Sequence, residues 1–539
     1  MNIPNYYEKN YQSSVFEEKL THAIKISRQK AIQFRTFQLL GLAVPLAACG
    51  SSEDTSVSVN FENFEVRDEI FFSNIVIQDV EKPVWVAALQ MDNMEIVGDI
   101  MQGNGDVFYY HFMTGAPSYA LVNPIRNVQL ATPKMREAAE VIFDELNAVF
   151  DTQFVLTDNA NQTNVISIGT SIQPNTAARA FFPTFDTFIG SDVFIGTDYS
   201  SPEMNGSGVT NPDYEVLLHE IGHALGLKHT FMPDRDNDAI LDRAIDNSMW
   251  TAMSYNDVPS SFNGSFRALD VMALSEYYGI SKTFSAGNDT YHFDPNFGVI
   301  IADGAGQDTI EYKDSALSSY IDLREGAVSY LGSKSSSIGD GNQLAIAYTT
   351  VVEHVQAGIG NDTVIGNSAN NEIYTLGGND VIFSGEGADL VCAGSGENIV
   401  DFFEQSAASD VLIFDTDCVF LGFTEVYGFD QTATDPRMRD KLDFSALDAK
   451  KIDTLPEDIL LTGAQNQNIF SDILSKSHVA TFETIGGYVF VNALNTETGS
   501  TQNLYFAEAH SSGYLVNEFC KIYGANIDID FWMDDSFLM

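Results

Sequence analysis

Positive charge is what this 539-residue sequence has least of: 27 Lys and Arg stand against 75 Asp and Glu, a formal net charge of -48. Phosphate binding needs clustered cations, so nucleic acid is excluded as a partner. Cysteine is also scarce. Cys49, Cys392, Cys418 and Cys520 contain no CxxC pair, which rules out a cysteine zinc site and a thioredoxin-like motif, and they are too scattered for a disulfide framework. No apolar run is long enough for a transmembrane helix. Core material is plentiful, however: hydrophobic residues make up 44%, with 38 Phe and 22 Tyr. Packed domains are therefore expected rather than wholesale disorder, and the length suits roughly two to four of them. The acid excess calls for a solvated halophilic or marine surface, for multivalent cations, or for both.

Near the N-terminus, FQLLGLAVPLAAC ends at Cys49 and follows Arg28, Lys30 and Arg35. The run is too short to span a bilayer but suits the apolar part of a signal peptide. Leu46-Ala47-Ala48-Cys49 resembles a bacterial lipobox, in which the cysteine is lipidated; the 36 residues before it are long for such a signal. Residues 50–60 are a polar, linker-like run.

Further along, DVFYYHF (106–112), NVISIGT (164–170) and SDVFIG (191–196) read as strands, and KMREAAEVIFDELNAVF (134–150) as an amphipathic helix started by Thr132-Pro133. This is an α/β or α+β unit running to about residue 280. From residue 357, five nonapeptides follow without a gap: AGIGNDTVI, GNSANNEIY, TLGGNDVIF, SGEGADLVC and AGSGENIVD. The fourth place is glycine except at Ala369; the sixth is Asp362, Asn371, Asp380, Asp389 and Asn398; the eighth is always Val or Ile. FSAGNDTYH (284–292) and DGAGQDTIE (303–311) match upstream. After about 402 ordinary apolar patterning returns.

Residues 219–229 read HEIGHALGLKH. On a helix over 213–226, started by Asn211-Pro212-Asp213, His219 and His223 project from one face at a spacing one metal ion can bridge. Glu220 can reach a metal-bound water without being a ligand. Gly226 can take positive φ, end the helix and return His229 as a third nitrogen. Three neutral imidazoles with an open position suit zinc, which lowers the pKa of a bound water towards ~7. The competing reading is an amphipathic helix that merely contains histidines. The full HExxHxxGxxH spacing argues against it, since three of only nine histidines fall here.

HEIGHALGLKH followed by TAMSY (251–255) resembles the metzincin metalloproteases, and within them the serralysin group. The resemblance runs from roughly 105 to 450 and includes ARAFFP (178–183). It implies that Met253 forms the turn beneath the zinc and that Tyr255 is an additional, displaceable zinc ligand. The nonapeptides resemble the RTX calcium-binding β-roll that serralysins carry. Departures are Thr230, where serralysins usually have proline, a divergent 230–250 loop, the asparagines at the sixth place, the N-terminal extension and the cysteines.

In such a roll each repeat is a turn plus a short strand, and only stacked turns gather the six to eight oxygens calcium wants. The calcium residues expected are Asp289, Asp308, Gly358, Gly360, Asp362, Asn371, Gly378, Asp380, Gly385, Gly387 and Asp389. Without calcium, rows of carboxylates repel across a thin core, so the segment should fold only when the ion is present.

The resulting expectation is an α+β metzincin protease domain, an all-β parallel β-roll, and a β-rich C-terminal region. Residues 1–49 would be a signal or lipobox segment, 50–100 a linker or extension, 101–280 the protease, 281–401 the roll, and 402–539 the C-terminal region with a secretion signal. One zinc and several calcium ions are implied. The implied activity is a secreted, monomeric endopeptidase that cuts protein substrates and leaves through a type I secretion apparatus, with Asp535-Ser536-Phe537-Leu538-Met539 as a loose terminal signal. Membrane attachment as a cell-surface lipoprotein would follow only from lipidation of Cys49. The alternatives are a catalytically silent calcium-binding surface or adhesion protein and a zinc hydrolase of non-peptide substrates.

Overall fold

The computed structural model describes residues 79–402 apart from 103–105, 118–125, 163, 174, 186–189, 206–207 and 259–261. Beyond 402 it describes 404, 408–414, 422–429, 440–443, 450–452, 477–485, 488–495, 501–510 and 513–523. Cys49 with its apolar run, the polar run at 50–60, Cys418 and the terminus at 535–539 lie outside the described residues.

The first part is built from two short helices, α1 (Val84–Ala87) and α2 (Glu95–Gln102), then β1 (Val107–Phe112), β2 (Arg126–Leu130), α3 (Pro133–Val149), β3 (Gln153–Leu156), β4 (Val165–Ile172), β5 (Ala178–Ala180), β6 (Val193–Gly196), α4 (Pro212–Ala224) and α5 (Ala268–Tyr278). The strands make one sheet in the order β3–β1–β4–β6–β5, with β2 paired to β4. β3, β1, β4 and β6 run parallel, while β2 and β5 run antiparallel to their neighbours.

Helix α3 starts as its sequence dictates. The Thr132 hydroxyl oxygen accepts the Met135 N–H at 3.2 Å, and Pro133 occupies the first helical turn, where its missing N–H costs nothing. Its apolar stripe, including Met135, Ile142, Phe143 and Leu146, is buried, and Phe143 stacks on Tyr110 of β1 at 4.1 Å. Residues 84–100, expected to belong to a linker or extension, place Trp85, Leu89, Val97 and Ile100 in this same core.

The second part is a roll of short strands: β7 (Thr290–Tyr291), β8 (Val299–Ile301), β9 (Thr309–Glu311), β10 (Ser319–Asp322), β11 (Val328–Leu331), β12 (Gln343–Ile346), β13 (His354–Gln356), β14 (Thr363–Ile365), β15 (Glu372–Tyr374), β16 (Val381–Phe383), β17 (Leu390–Cys392), β18 (Gly396–Asp401), β19 (Val411–Ile413), β20 (Gly422–Tyr427) and β21 (Lys441–Asp443). Through the nonapeptides successive strands alternate between two sheets. β7, β9, β13, β15, β17, β19 and β21 stack in parallel in one, and β10, β14, β16, β18 and β20 in the other. Val364, Ile382 and Val400 line up across one sheet, and Ile373 and Val391 across the other. All five are the eighth residues of their repeats and are fully buried between the sheets.

The roll's close stacking requires glycine at Gly378. Its φ is +120°, and a side chain there would stand 2.1 Å from the Gly360 carbonyl oxygen. Beyond the roll, β22 (Lys450–Ile452), β23 (Ser477–Ile485), β24 (Tyr488–Asn495), β25 (Thr501–His510) and β26 (Gly513–Tyr523) form an antiparallel meander, and β26 pairs in parallel with β20. The architecture is thus β-rich, with a parallel β-roll. Among the described residues no helix is long and apolar enough to cross a membrane.

Candidate metal centre

Helix α4 is capped by Asn211, whose side-chain oxygen accepts the Tyr214 N–H at 3.0 Å, and it opens on Pro212. His219, Glu220 and His223 lie on its buried stretch. The helix stops at Ala224, and Gly226 takes φ +104°, where a side chain would strike the Met94 sulfur at 2.5 Å. That turn carries the chain back to His229. The Nε2 atoms of His223 and His229 then lie 3.1 Å apart, and those of His229 and His219 3.2 Å apart.

The remaining ring nitrogens fix the tautomers. His219 Nδ1–H donates to the Ala252 carbonyl at 2.8 Å, and His223 Nδ1–H to the Leu227 carbonyl at 2.7 Å. Their Nε2 lone pairs therefore point into a shared space with no proton of their own to place between them. Burial holds His219 down at about 4, and it pushes His223 and His229 below the ordinary histidine range as well, so the imidazoles are neutral at neutral pH. Nitrogens each 2.0–2.1 Å from a tetrahedral zinc stand roughly 3.3 Å apart, close to the spacing found here. The donor set fits such an ion.

Around this centre, burial raises the Glu220 carboxyl to about 8, against the opposing charge of Arg179 on β5. The Tyr255 hydroxyl lies 2.9 Å from His229 Nε2, on an exposed side chain. Met253 is fully buried beneath Gly222, where an added Cβ would lie only 2.6 Å from its sulfur. The Met253 turn is held from α5: Asp270 accepts the Thr251 hydroxyl at 2.6 Å and the Ala252 N–H at 2.7 Å.

Thr230 is not an idle departure. Its hydroxyl donates to Asp246 at 2.6 Å, and the Asn256 amide donates to the Asp246 carbonyl at 2.7 Å, so the residues after His229 and after Tyr255 share one anchor. From the other side, Met91 N–H donates to the Gly226 carbonyl and Lys228 N–H to the Leu89 carbonyl, which ties the α1–α2 segment to the histidine motif.

The sequence reading thus brought together His219, Glu220, His223, His229, Met253 and Tyr255, and the fold places them in one cluster. It missed Asp270, Asp246 and Arg179. Arg179 sits inside the quoted ARAFFP, but nothing local to Asp270 or Asp246 marks them, because their partners arrive from other elements.

A second set of acidic groups lines the turns of the roll. Asp362 Oδ1 accepts the Ser319 N–H, Asp380 Oδ1 the Asp362 N–H, and Asp389 Oδ1 the Asn371 N–H, each at 2.8 Å. Asp308 Oδ1 likewise accepts the Asp289 N–H. The Oδ2 atoms of Asp308, Asp362, Asp380 and Asp389 are buried and have no hydrogen-bond partner. Bare buried carboxylate oxygens are costly, and a hard divalent cation is the partner they fit.

Asp289, Asp303 and Asp308 bring carboxylate oxygens within 4.8 Å of one another. Asp303 was not among the expected residues. Glu353, Asp410 and Asp440 also continue the row, accepting the N–H groups of Asp308, Asp389 and Asp410. Glu353 lies nine residues before Asp362, in phase with the repeats but in a stretch without their glycines, and Asp410 and Asp440 fall off the period, which is why the repeat did not reveal them. Gly358, Gly360, Gly378, Gly385 and Gly387 lie in these turns, packed against carbonyl oxygens of neighbouring turns. Asn371 differs from the aspartates: its amide is already bonded to protein atoms.

The sequence of the chain has counterparts among known proteins. The RTX calcium-binding nonapeptide repeat (4 copies) matches residues 354–400. Serralysin of Proteus mirabilis is 27% identical over 238 residues, which cover 39% of this chain and 47% of the relative. Metallopeptidase AprA of Pseudomonas marginalis is 28% identical over 237 residues, 37% of this chain and 47% of the relative. Serralysin G of Dickeya chrysanthemi is 26% identical over 279 residues, 46% of this chain and 54% of the relative. The chain spans about half the length of the curated relatives it matches. It is a serralysin-like chain with RTX calcium-binding repeats.

Proposed function

We propose that this protein is a zinc-dependent endopeptidase of the metzincin kind, secreted and active outside the cell on protein substrates. The observation that carries the proposal is the convergence of three neutral Nε2 atoms, on His219, His223 and His229, beside the buried carboxyl of Glu220. In this reading the α+β protease unit is residues 101–280 together with α1 and α2. The roll over 281–401 binds calcium, and the β-rich region over 402–539 carries the export signal for type I secretion. The enzyme acts as a monomer.

A zinc ion held by the three histidines would supply a Lewis acid and an acidified water. The chain's own groups do the rest. Glu220, held close enough to neutral pH to exchange a proton in either direction, accepts the proton of the attacking water and later gives it to the departing amine. Tyr255 swings on an exposed side chain and donates its hydroxyl to the developing oxyanion. Asp270, through Ala252, holds His219 in the tautomer that presents Nε2.

Replacing Glu220 with alanine tests the reading. Casein cleavage should fall by about 10²–10⁴-fold with zinc content unchanged. Cleavage at the parental rate would refute the assignment, and a catalytically silent surface protein would show no cleavage in either form.

A further inference from the structure

The sixth residue of each nonapeptide closes its turn, and in this roll it comes in two chemical kinds that behave differently. Where it is aspartate, one carboxylate oxygen makes the rung to the neighbouring turn and the other is buried without a partner, as at Asp362, Asp380 and Asp389. Where it is asparagine, nothing is left over.

Asn398 keeps the rung, its Oδ1 accepting the Asp380 N–H at 3.0 Å. Its Nδ2 donates to the carbonyls of Ala393 at 2.9 Å and Gly394 at 3.1 Å, both in its own turn. Asn371 is closed in another way. Its Oδ1 accepts the Asn367 N–H at 2.9 Å, and its Nδ2 donates to the Glu353 carbonyl of the preceding turn and to Asn367 Oδ1, both at 3.1 Å. Both side chains are only 1% exposed.

A calcium site needs oxygens free to face the ion and negative charge to balance it. At these two turns the amide carries no charge. Its hydrogens point at carbonyl oxygens, the groups a cation would otherwise use. The asparagines therefore do not fit the ion that the aspartates fit.

We infer that Asn371 and Asn398 are amide staples that take the place of calcium, so that the roll holds its turns by two means, cation at the aspartates and carboxamide at the asparagines. One staple lies on each sheet, Asn371 immediately ahead of β15 and Asn398 within β18. The turns at 366–371 and 393–398 are built to close without calcium, and they remove charge from rows where carboxylates would otherwise repel. The inference rests on calcium binding by the repeats and not on the protease activity.

The test uses the full-length protein refolded in calcium and equilibrated against a buffered free-calcium series, with bound ion counted per chain by mass spectrometry. Asn371→Asp and Asn398→Asp should each gain one calcium ion, and Asp389→Asn should lose one. Far-UV circular dichroism in saturating calcium establishes that each variant is folded. If both Asn→Asp variants bind the parental number while Asp389→Asn loses an ion, the staple assignment is overturned.

A second measurement needs no variant. Amide hydrogen exchange of the parent at limiting free calcium, where the roll is folded but only partly loaded, should leave residues 371–373 and 398–400 better protected than 362–364 and 389–391. Uniform loss of protection across the four turns would also overturn it.

Discussion

Asp270 reaches His219 through a single residue: its carboxylate accepts the Ala252 N–H at 2.7 Å, and the Ala252 carbonyl accepts His219 Nδ1–H at 2.8 Å. The two side chains come from different helices. Outer partners of this kind typically change metal affinity about 10- to 100-fold. Asp270→Ala should weaken zinc binding by that factor in competition with a chelator. It should also lower thermal stability, because the Thr251 hydroxyl and two backbone N–H groups lose a buried acceptor, at about 1–3 kcal/mol for such a group. Unchanged zinc affinity would show that Ala252 holds its place without the carboxylate.

Tyr255→Phe removes only the hydroxyl that stands 2.9 Å from His229 Nε2. Loss of one oxyanion donor costs about 10²–10³ in kcat. The variant should keep its zinc and its KM and lose turnover. A fall in zinc content with turnover per zinc preserved would make Tyr255 a ligand only.

The buried aspartates of the roll set a pH dependence whose sign is fixed. Without a cation, burial raises Asp380 to about 7 and Asp389 and Asp410 to about 8, above their unfolded values near 3.9. The fold therefore favours their protonated forms. The stability they contribute is full at pH below the unfolded value and is lost as pH rises through about 7 to 8. In chelator the roll's melting temperature should fall between pH 5 and 9, and saturating calcium should abolish that fall while releasing protons on binding. A calcium-free roll that gains stability across this range would contradict the assignment.

Gly226→Ala and Gly98→Ala form a pair. At Gly226 the backbone is left-handed and a Cβ would meet the Met94 sulfur at 2.5 Å. A non-glycine residue in such a conformation costs on the order of 1–3 kcal/mol, and here it would also displace the return to His229. At Gly98, in α2, the nearest atom lies 4.0 Å away, and alanine should stabilise the helix by roughly 0.5–1 kcal/mol. Differential scanning calorimetry and zinc content of the two variants check both signs. The Gly98→Ala result also tests whether α2 belongs to the cooperative unit.

Much of this molecule is written in short, local spacings. Histidines four apart share a helix face whatever surrounds them, a glycine three residues later permits the reversal, and a nine-residue period is a property of the chain itself. Those features gave the histidine cluster, the strand–turn rhythm of the roll and its buried Val and Ile row, while the Met253 turn was implied only by the resemblance of TAMSY to the metzincins. The sequence could not by itself give the partners that arrive from elsewhere in the fold. Asp270 meets Ala252, Asp246 meets Thr230 and Asn256, Leu89 meets Lys228, and Glu353 and Asp410 extend the acid row beyond the five repeats. Even the difference between Asn371 and Asp389 became legible only when the turns were stacked. A carboxylate and a carboxamide have nearly the same shape, and only the tertiary arrangement of carbonyls around them decides whether the second polar atom is left bare for a cation or already bonded.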